Sequence, residues 1–470
     1  NWLPTDDNEV DLGSSSKEMK NVYVDGVTYT DAVGFGTVVM TLPTADGSDG
    51  QILKTDGSGV LAWVNNSGVA GAIDDLTDGK SGGTDFTGSM ILGHQTTGTL
   101  DAATYNTAVG ITALDAITTG DYNVAVGYNA LTANTTGNGN TAIGHEALKV
   151  STIGNYNSAS GMYSLRANTE GSYNIASGVW SLGNNTTGSN NIAFGQNALK
   201  ANTIGTYNIA FGYMSLDANT EGTNNIASGN SSLTNNTTGS NNVASGKSSL
   251  SANTEGDYNI AIGYQSLMSN TTADRNIAIG KEALKLNTTG TRNIAIGADA
   301  YNNADTENDN IAIGYDALGG AIAGGEYNVA VGNYTLDANT SGDYNIAVGY
   351  GTLGANTTGA NNTALGYEAG DVITTGTNNV LLGYSADPSA VDGANQIVIG
   401  KGATGQGDNY AVIGNADVTR LYAAQDAGAT LYAAGLNLGG TAVTSTAAEL
   451  NILDGVTSTA SELNILDGVT

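Results

Sequence analysis

The chain runs to 470 residues with 67 glycines, three prolines and no cysteine, and 44 acidic against 14 basic side chains set its formal net charge at −30. No disulfide or thiolate metal site can form, and a surface of that sign repels nucleic acid and acidic membranes. No run approaches the ~18 consecutive apolar residues of a membrane span, and the charged residues, 12% of the chain, form no long tract of the kind that marks ordinary disorder.

Residues 1–100 read as short strands and loops. The chain opens at Asn1 with neither methionine nor a signal-like segment and is expected to be a processed or partial product. Two stretches here are distinctive. One is Asp11-Leu12-Gly13-Ser14-Ser15-Ser16-Lys17, running on to Val22-Tyr23-Val24-Asp25-Gly26. The other is Gly50-Gln51-Ile52-Leu53-Lys54-Thr55-Asp56-Gly57-Ser58-Gly59, followed by Trp63.

Residues 101–414 form a repeat array. A glycine recurs every seventeen residues through Gly110, Gly127 and onward to Gly314; after one 18-residue step to Gly332 the beat continues to Gly400. A fixed period of this size marks a solenoid, in which each repeat buries its apolar face against its neighbours. In the unit Asn259-Ile260-Ala261-Ile262-Gly263-Tyr264-Gln265-Ser266-Leu267, alternation puts Ile260 and Ile262 on one face and Asn259, Ala261 and Gly263 on the other. Leu267 supplies a third aliphatic group, and all three are expected to be buried. An Asn-Thr-Thr-Gly turn follows, as at 134–137, 236–239 and 287–290, its Gly suited to a positive φ and its Asn to local bonds with the backbone.

Each coil therefore reads as strand, bend, short second strand and turn, giving an all-β, flattened two-layer parallel β-roll. At ~4.8 Å per coil, roughly eighteen coils span about 85–90 Å. Asn259 and its equivalents, four places before each Gly, are expected to stack as an amide ladder. Three aliphatics per coil stabilise by ~1.5–3 kcal/mol each, against ~1 kcal/mol or more to order each residue's backbone. A lone roll is marginal on that comparison. The small Ala and Gly face is expected to lie against partner subunits, making the rod an obligate oligomer. Where Ser160, Ser177, Ser228 and Ser245 replace the second Ile, an interior face would be locally weak and hydrated.

Beyond Gly414, residues 415–445 read as a neck-like connector and residues 446–470 as a tandem 13-residue repeat. Ala448-Glu449-Leu450-Asn451-Ile452-Leu453-Asp454-Gly455-Val456-Thr457 returns thirteen residues later. Thr446 with Glu449, and Thr459 with Glu462, match a capping box, each opening a short helical turn that needs companion chains to persist.

The Asn-Ile-Ala-Ile-Gly-x-x-Ala/Ser-Leu pattern resembles the head repeats of trimeric autotransporter adhesins, the YadA-like left-handed parallel β-roll. That resemblance implies an intertwined homotrimer and supplies the handedness. The segments at 11–26 and 50–63 look like elements of bacteriophage tail-fibre proteins, and the tandem repeat closely resembles repeats in structural proteins of marine phages. Together these similarities imply a structural fibre protein, a rigid trimeric spacer of a phage tail fibre that supports host-cell attachment. It would sit on the virion or outside the cell, with itself, other fibre or tail proteins and a host surface glycan or receptor as partners. A bacterial cell-surface trimeric adhesin and a subunit of an extracellular filament are the alternatives.

Catalytic chemistry has little to work with: His94 and His145 are the two histidines, and no nucleophile–base pattern stands out, so no enzyme and no cofactor are expected. The acidic loop Asp299, Asp305, Glu307 and Asp309 is the one candidate for Ca²⁺, with a solvated acidic turn as the plainer reading. Tyrosines recur in two columns, Tyr122, Tyr156, Tyr173, Tyr207, Tyr258 and Tyr344 in one, and Tyr128, Tyr213, Tyr264, Tyr315 and Tyr350 in the other. Packing along the rod is the plainer reading for them; Tyr128, Tyr213 and Tyr264 are candidates for stacking on glycans. Asn-x-Thr triplets such as Asn134-Thr135-Thr136 follow from the turn consensus and are not evidence of glycosylation.

Overall fold

The computed structural model of the protein describes residues 102–320 and 325–421, with short stretches at 32–35, 38–41, 51–55, 60–65, 79–81, 89–92, 436–438 and 441–443. The segment at 11–26, His94, most of the expected connector and the tandem repeat of 446–470 with its helical turns lie outside the described residues. Among the described residues there are strands and turns but no helix. Three antiparallel hairpins pair Ala32–Phe35 with Val38–Thr41, Gln51–Thr55 with Leu61–Asn65, and Leu436–Leu438 with Thr441–Val443.

The repeat array is a parallel β-solenoid with one three-residue strand per coil. Strands begin at Met90–Leu92, ahead of residue 101, and continue from Thr107–Val109 through Ile397–Ile399 to Ala411–Ile413. Each pairs in register with the next, so that Ile260, Ala261 and Ile262 face Ile277, Ala278 and Ile279. The 18-residue step leaves this register intact, Ile311 pairing with Val329. An antiparallel strand, Gly79–Ser81, covers the outer edge of Met90–Leu92.

Inside and outside are reversed from the expectation. Asn259, Ala261, Ser266 and Leu267 are completely buried, whereas Ile262 is 40% exposed and Ile260 half-buried. A seventeen-residue coil is too narrow to hold two isoleucines beside its leucine and two asparagines. Strand alternation then ties the choice together, because turning Asn259 inward turns Ala261 inward with it. The Ala face is therefore the core of each chain rather than a contact between chains. Ser160, Ser177, Ser228 and Ser245 sit on the outer face, so the expected hydrated weak point in the interior does not arise.

The second strand is also absent. After Gly263 the chain forms a run of turns, with Gln265 at φ 54° and Leu267 at φ 49° in the left-handed region. Such a conformation costs a non-glycine residue ~1–2 kcal/mol. Here it points Leu267 into the core while the backbone still bonds to the next coil, Leu267 N–H to Ala283 O at 2.9 Å and Ser269 N–H to Lys285 O at 3.0 Å. The second wall is thus a stack of turns rather than a sheet.

Two glycine positions have different reasons. Gly263 lies at φ +136°, and a Cβ there would stand 2.2 Å from the carbonyl oxygen of Gly280. The glycines of the Asn-Thr-Thr-Gly turn, contrary to expectation, do not adopt positive φ. They are required by space: a Cβ on Gly137 would stand 2.4 Å from both Asn134 Oδ1 and Gly154 O.

Two amide ladders run through the interior. Asn259 Oδ1 accepts the backbone N–H of Asn276 at 3.0 Å, and Asn259 Nδ2 donates to Ala273 O at 2.8 Å. This is the expected ladder. The second was missed: the turn asparagines bond locally, as in Asn270 Nδ2 to Ala273 O, but are fully buried and also bond coil to coil. Asn270 Nδ2 donates to Asn253 Oδ1 and Asn253 Nδ2 to Asn236 Oδ1, both at 2.8 Å.

Candidate functional site

With the alanines inward, the outer face of the sheet carries two aliphatic columns. Val109, Val126, Ile143, Ile175, Ile262 and Leu365, from coils spread along the rod, are each more than a third exposed. Phe194 and Phe211 continue one column with parallel rings 5.2 Å apart. The in-register pairing that fixes the strands also fixes this stripe, since side chains two apart on a strand share a face. The stripe runs along most of the array and is interrupted by serine at Ser158, Ser160, Ser177, Ser228 and Ser245.

The tyrosine columns follow the coils. In the first, Tyr105 and Tyr122, Tyr156 and Tyr173, and Tyr327 and Tyr344 are stacked pairs with centroids 5.0–5.3 Å apart. In the second, Tyr350, Tyr367 and Tyr384 stack within 9° of parallel. Parallel stacking covers ring faces and leaves edges and hydroxyls to solvent. Tyr128 stacks on His145, while Tyr213 and Tyr264 are flanked one coil away by Gln196, Asn230, Lys247 and Lys281 rather than by rings. The sequence reading missed Tyr163, Trp180 and Tyr334, which enter the second column one position later in their coils.

The acidic coil does not gather its carboxylates. Asp309 is held by Arg292, with Nε to Oδ1 at 2.6 Å and Nη2 to Oδ2 at 2.7 Å, and this hydrogen bonding pulls its pKa below the ordinary value. Asp299 lies 3.8 Å from Lys281 Nζ, and Asp305 accepts the Thr288 hydroxyl. Glu307, buried where most coils have Gly, accepts the backbone N–H groups of Asp305 and Thr306. Among the described residues no group of three or more His, Cys, Asp or Glu is arranged to hold a metal ion. His145 packs between Tyr128 and Tyr163.

Comparison with protein-family models and with curated proteins finds no match to this chain.

Proposed function

We propose that this protein is a structural fibre protein whose solenoid is a stiff spacer, built from three parallel copies and holding a host-attachment element away from a phage particle. The observation that carries the proposal is the apolar stripe on the outer sheet face. Contiguous exposed apolar patches on monomers seldom exceed a few hundred Å², and this stripe, broken at the serine-bearing coils, recurs along about 85–90 Å of array. A second copy aligned in parallel offers the same aliphatic columns at the same spacing, so every coil meets its equivalent. Three copies rather than two is what the YadA-like pattern implies, and the tail-fibre-like segments near the N-terminus support the phage setting. Electron microscopy of the purified protein tests this. The expected image is a straight rod segment of the stated length with threefold averages in cross-section. Flexible or globular particles would remove the spacer role.

A further inference from the structure

On the turn wall, past the corner at Gly178, Trp180 packs against the glycine three residues on, as Asp316 does against Gly319. Gly183 has no side chain, and a Cβ built on it would meet Trp180 Cε3 at 2.6 Å and Cζ3 at 3.4 Å. The indole thus lies on the wall in the space that the side chain of residue 183 would take. Arg166 is one coil before Gly183 and Lys200 one coil after, as the backbone bonds Ala167 N–H to Gly183 O and Asn184 N–H to Lys200 O establish. Arg166 Cζ stands 6.0 Å from the indole centroid and Lys200 Nζ 5.9 Å. Tyr163 extends the platform, its ring 4.6 Å from the indole and tilted by 37° rather than stacked in parallel.

Charge is concentrated in the same place. Glu146 bridges Lys149 Nζ at 2.8 Å and Arg166 Nε at 2.7 Å, and the Arg166 side chain is 40% exposed. Lys200 forms no ion pair among the described residues; its neighbour Asp217 is half-buried and resists ionisation through desolvation. The chain-wide negative charge is screened beyond about 8–10 Å in physiological salt, so the local sign is set by Lys149, Arg166 and Lys200 against Glu146 and Asp217.

We propose that Trp180, Tyr163, Arg166 and Lys200 form a binding site for a saccharide bearing a carboxylate. An indole face takes the C–H face of a sugar ring, and Arg and Lys on either side take the carboxylate. A peptide fits less well, because the wall's backbone groups are already engaged coil to coil and offer no strand edge. The site lies on the turn wall rather than the sheet face. It therefore does not depend on the number of chains in the rod, and the two proposals fail separately.

Isothermal titration of the full chain tests it with a panel of oligogalacturonate and sialyllactose, with neutral maltooligosaccharide, polyglutamate and a single-stranded oligonucleotide as comparators. Saturable binding of at least one acidic sugar is expected, accompanied by a change in tryptophan emission. Binding should weaken about tenfold in Trp180→Ala and again in Lys200→Gln, a solvent-facing change that leaves the core untouched. Tyr384→Ala should bind as the parent does. No saturable binding of either acidic sugar, equal binding of the neutral sugar, of polyglutamate or of the oligonucleotide, or affinity unchanged in Lys200→Gln would each overturn the proposal.

Discussion

Asn259 is fully buried, and each of its polar groups has a partner: its N–H donates to Asn242 Oδ1 at 2.9 Å, its Nδ2 to Ala273 O at 2.8 Å, and its Oδ1 accepts from Asn276 N–H at 3.0 Å. Asn259→Ala would orphan Asn276 N–H, at about 1–3 kcal/mol, and remove one of the two donors to Ala273 O, which keeps Asn270 Nδ2. We expect a loss of about 2–4 kcal/mol in urea unfolding. Gly263→Ala should cost at least as much, since a backbone carbonyl occupies the space of the new Cβ. Thr272→Ala, on the exposed turn, should stay within about 0.5 kcal/mol. The burial of Asn134 also closes the Asn134-Thr135-Thr136 triplet to glycosylation in the folded chain. Titration adds a residue-scale prediction. Burial, then the neighbouring Asp371 charge, pushes Asp387 up to about 6. Between the ordinary carboxylate range and that value the folded chain holds a proton that the unfolded chain has released. Stability therefore falls as pH rises through this window and stays lower above it. Asp387→Asn should raise stability at pH 7 by about 1 kcal/mol, discounted for partial solvent screening, and change nothing at pH 4. A melting series showing the same gain at both pH values would refute that assignment. Which residues matter was legible in the spacing of Gly263 and Asn259. Which way they face was not, because alternation groups Asn259 with Ala261 without saying which group is inside.

At the scale of the coil, the core tolerates exchange when volume is conserved. Gly370 stands where most coils have Leu, Ile373 stands where most have the turn Asn, and Leu381 replaces the strand Ala of the next coil. A Cβ on Gly370 would lie 2.6 Å from Leu381 Cδ1 and 2.8 Å from Leu353 Cδ2. Gly370→Leu alone should destabilise by about 1–3 kcal/mol through overpacking, and adding Leu381→Ala should recover most of the loss. Equal destabilisation by the single and double variants would contradict this compensation. A second exchange puts Tyr301 at the leucine position of a coil whose turn Asn is Ala304, and the buried phenol accepts a hydrogen bond from Asn310 Nδ2 at 2.6 Å. One strand per coil was legible from Asn-Ile-Ala-Ile-Gly. The second wall was not, because its left-handed positions carry residues such as Gln265 and Leu267 rather than glycine. The tilted ring of Trp180 was equally hidden, since the column shifts by one position there and the empty space at Gly183 is visible only in three dimensions.

Across the whole molecule, the solenoid has a narrow core of Ala, Asn and one Leu in most coils, and an outer face carrying most of the Ile, Val and Phe side chains of the strands. That division lets one narrow coil fold while leaving the outer face for the proposed association. Replacing Ile262 and Ile279 by Lys leaves Ala261, Leu267 and both ladders in place, so the coils should still form. The same change puts charge into the proposed contact between chains, and light scattering should show dissociation. The net charge of −30 opposes contact with other acidic surfaces, so the proposed association is expected at the apolar stripe alone. Sedimentation of the native protein decides whether three chains form the rod. An elongated particle of three chain masses with a high frictional ratio is expected. A compact single-chain species that remains folded would contradict that assembly.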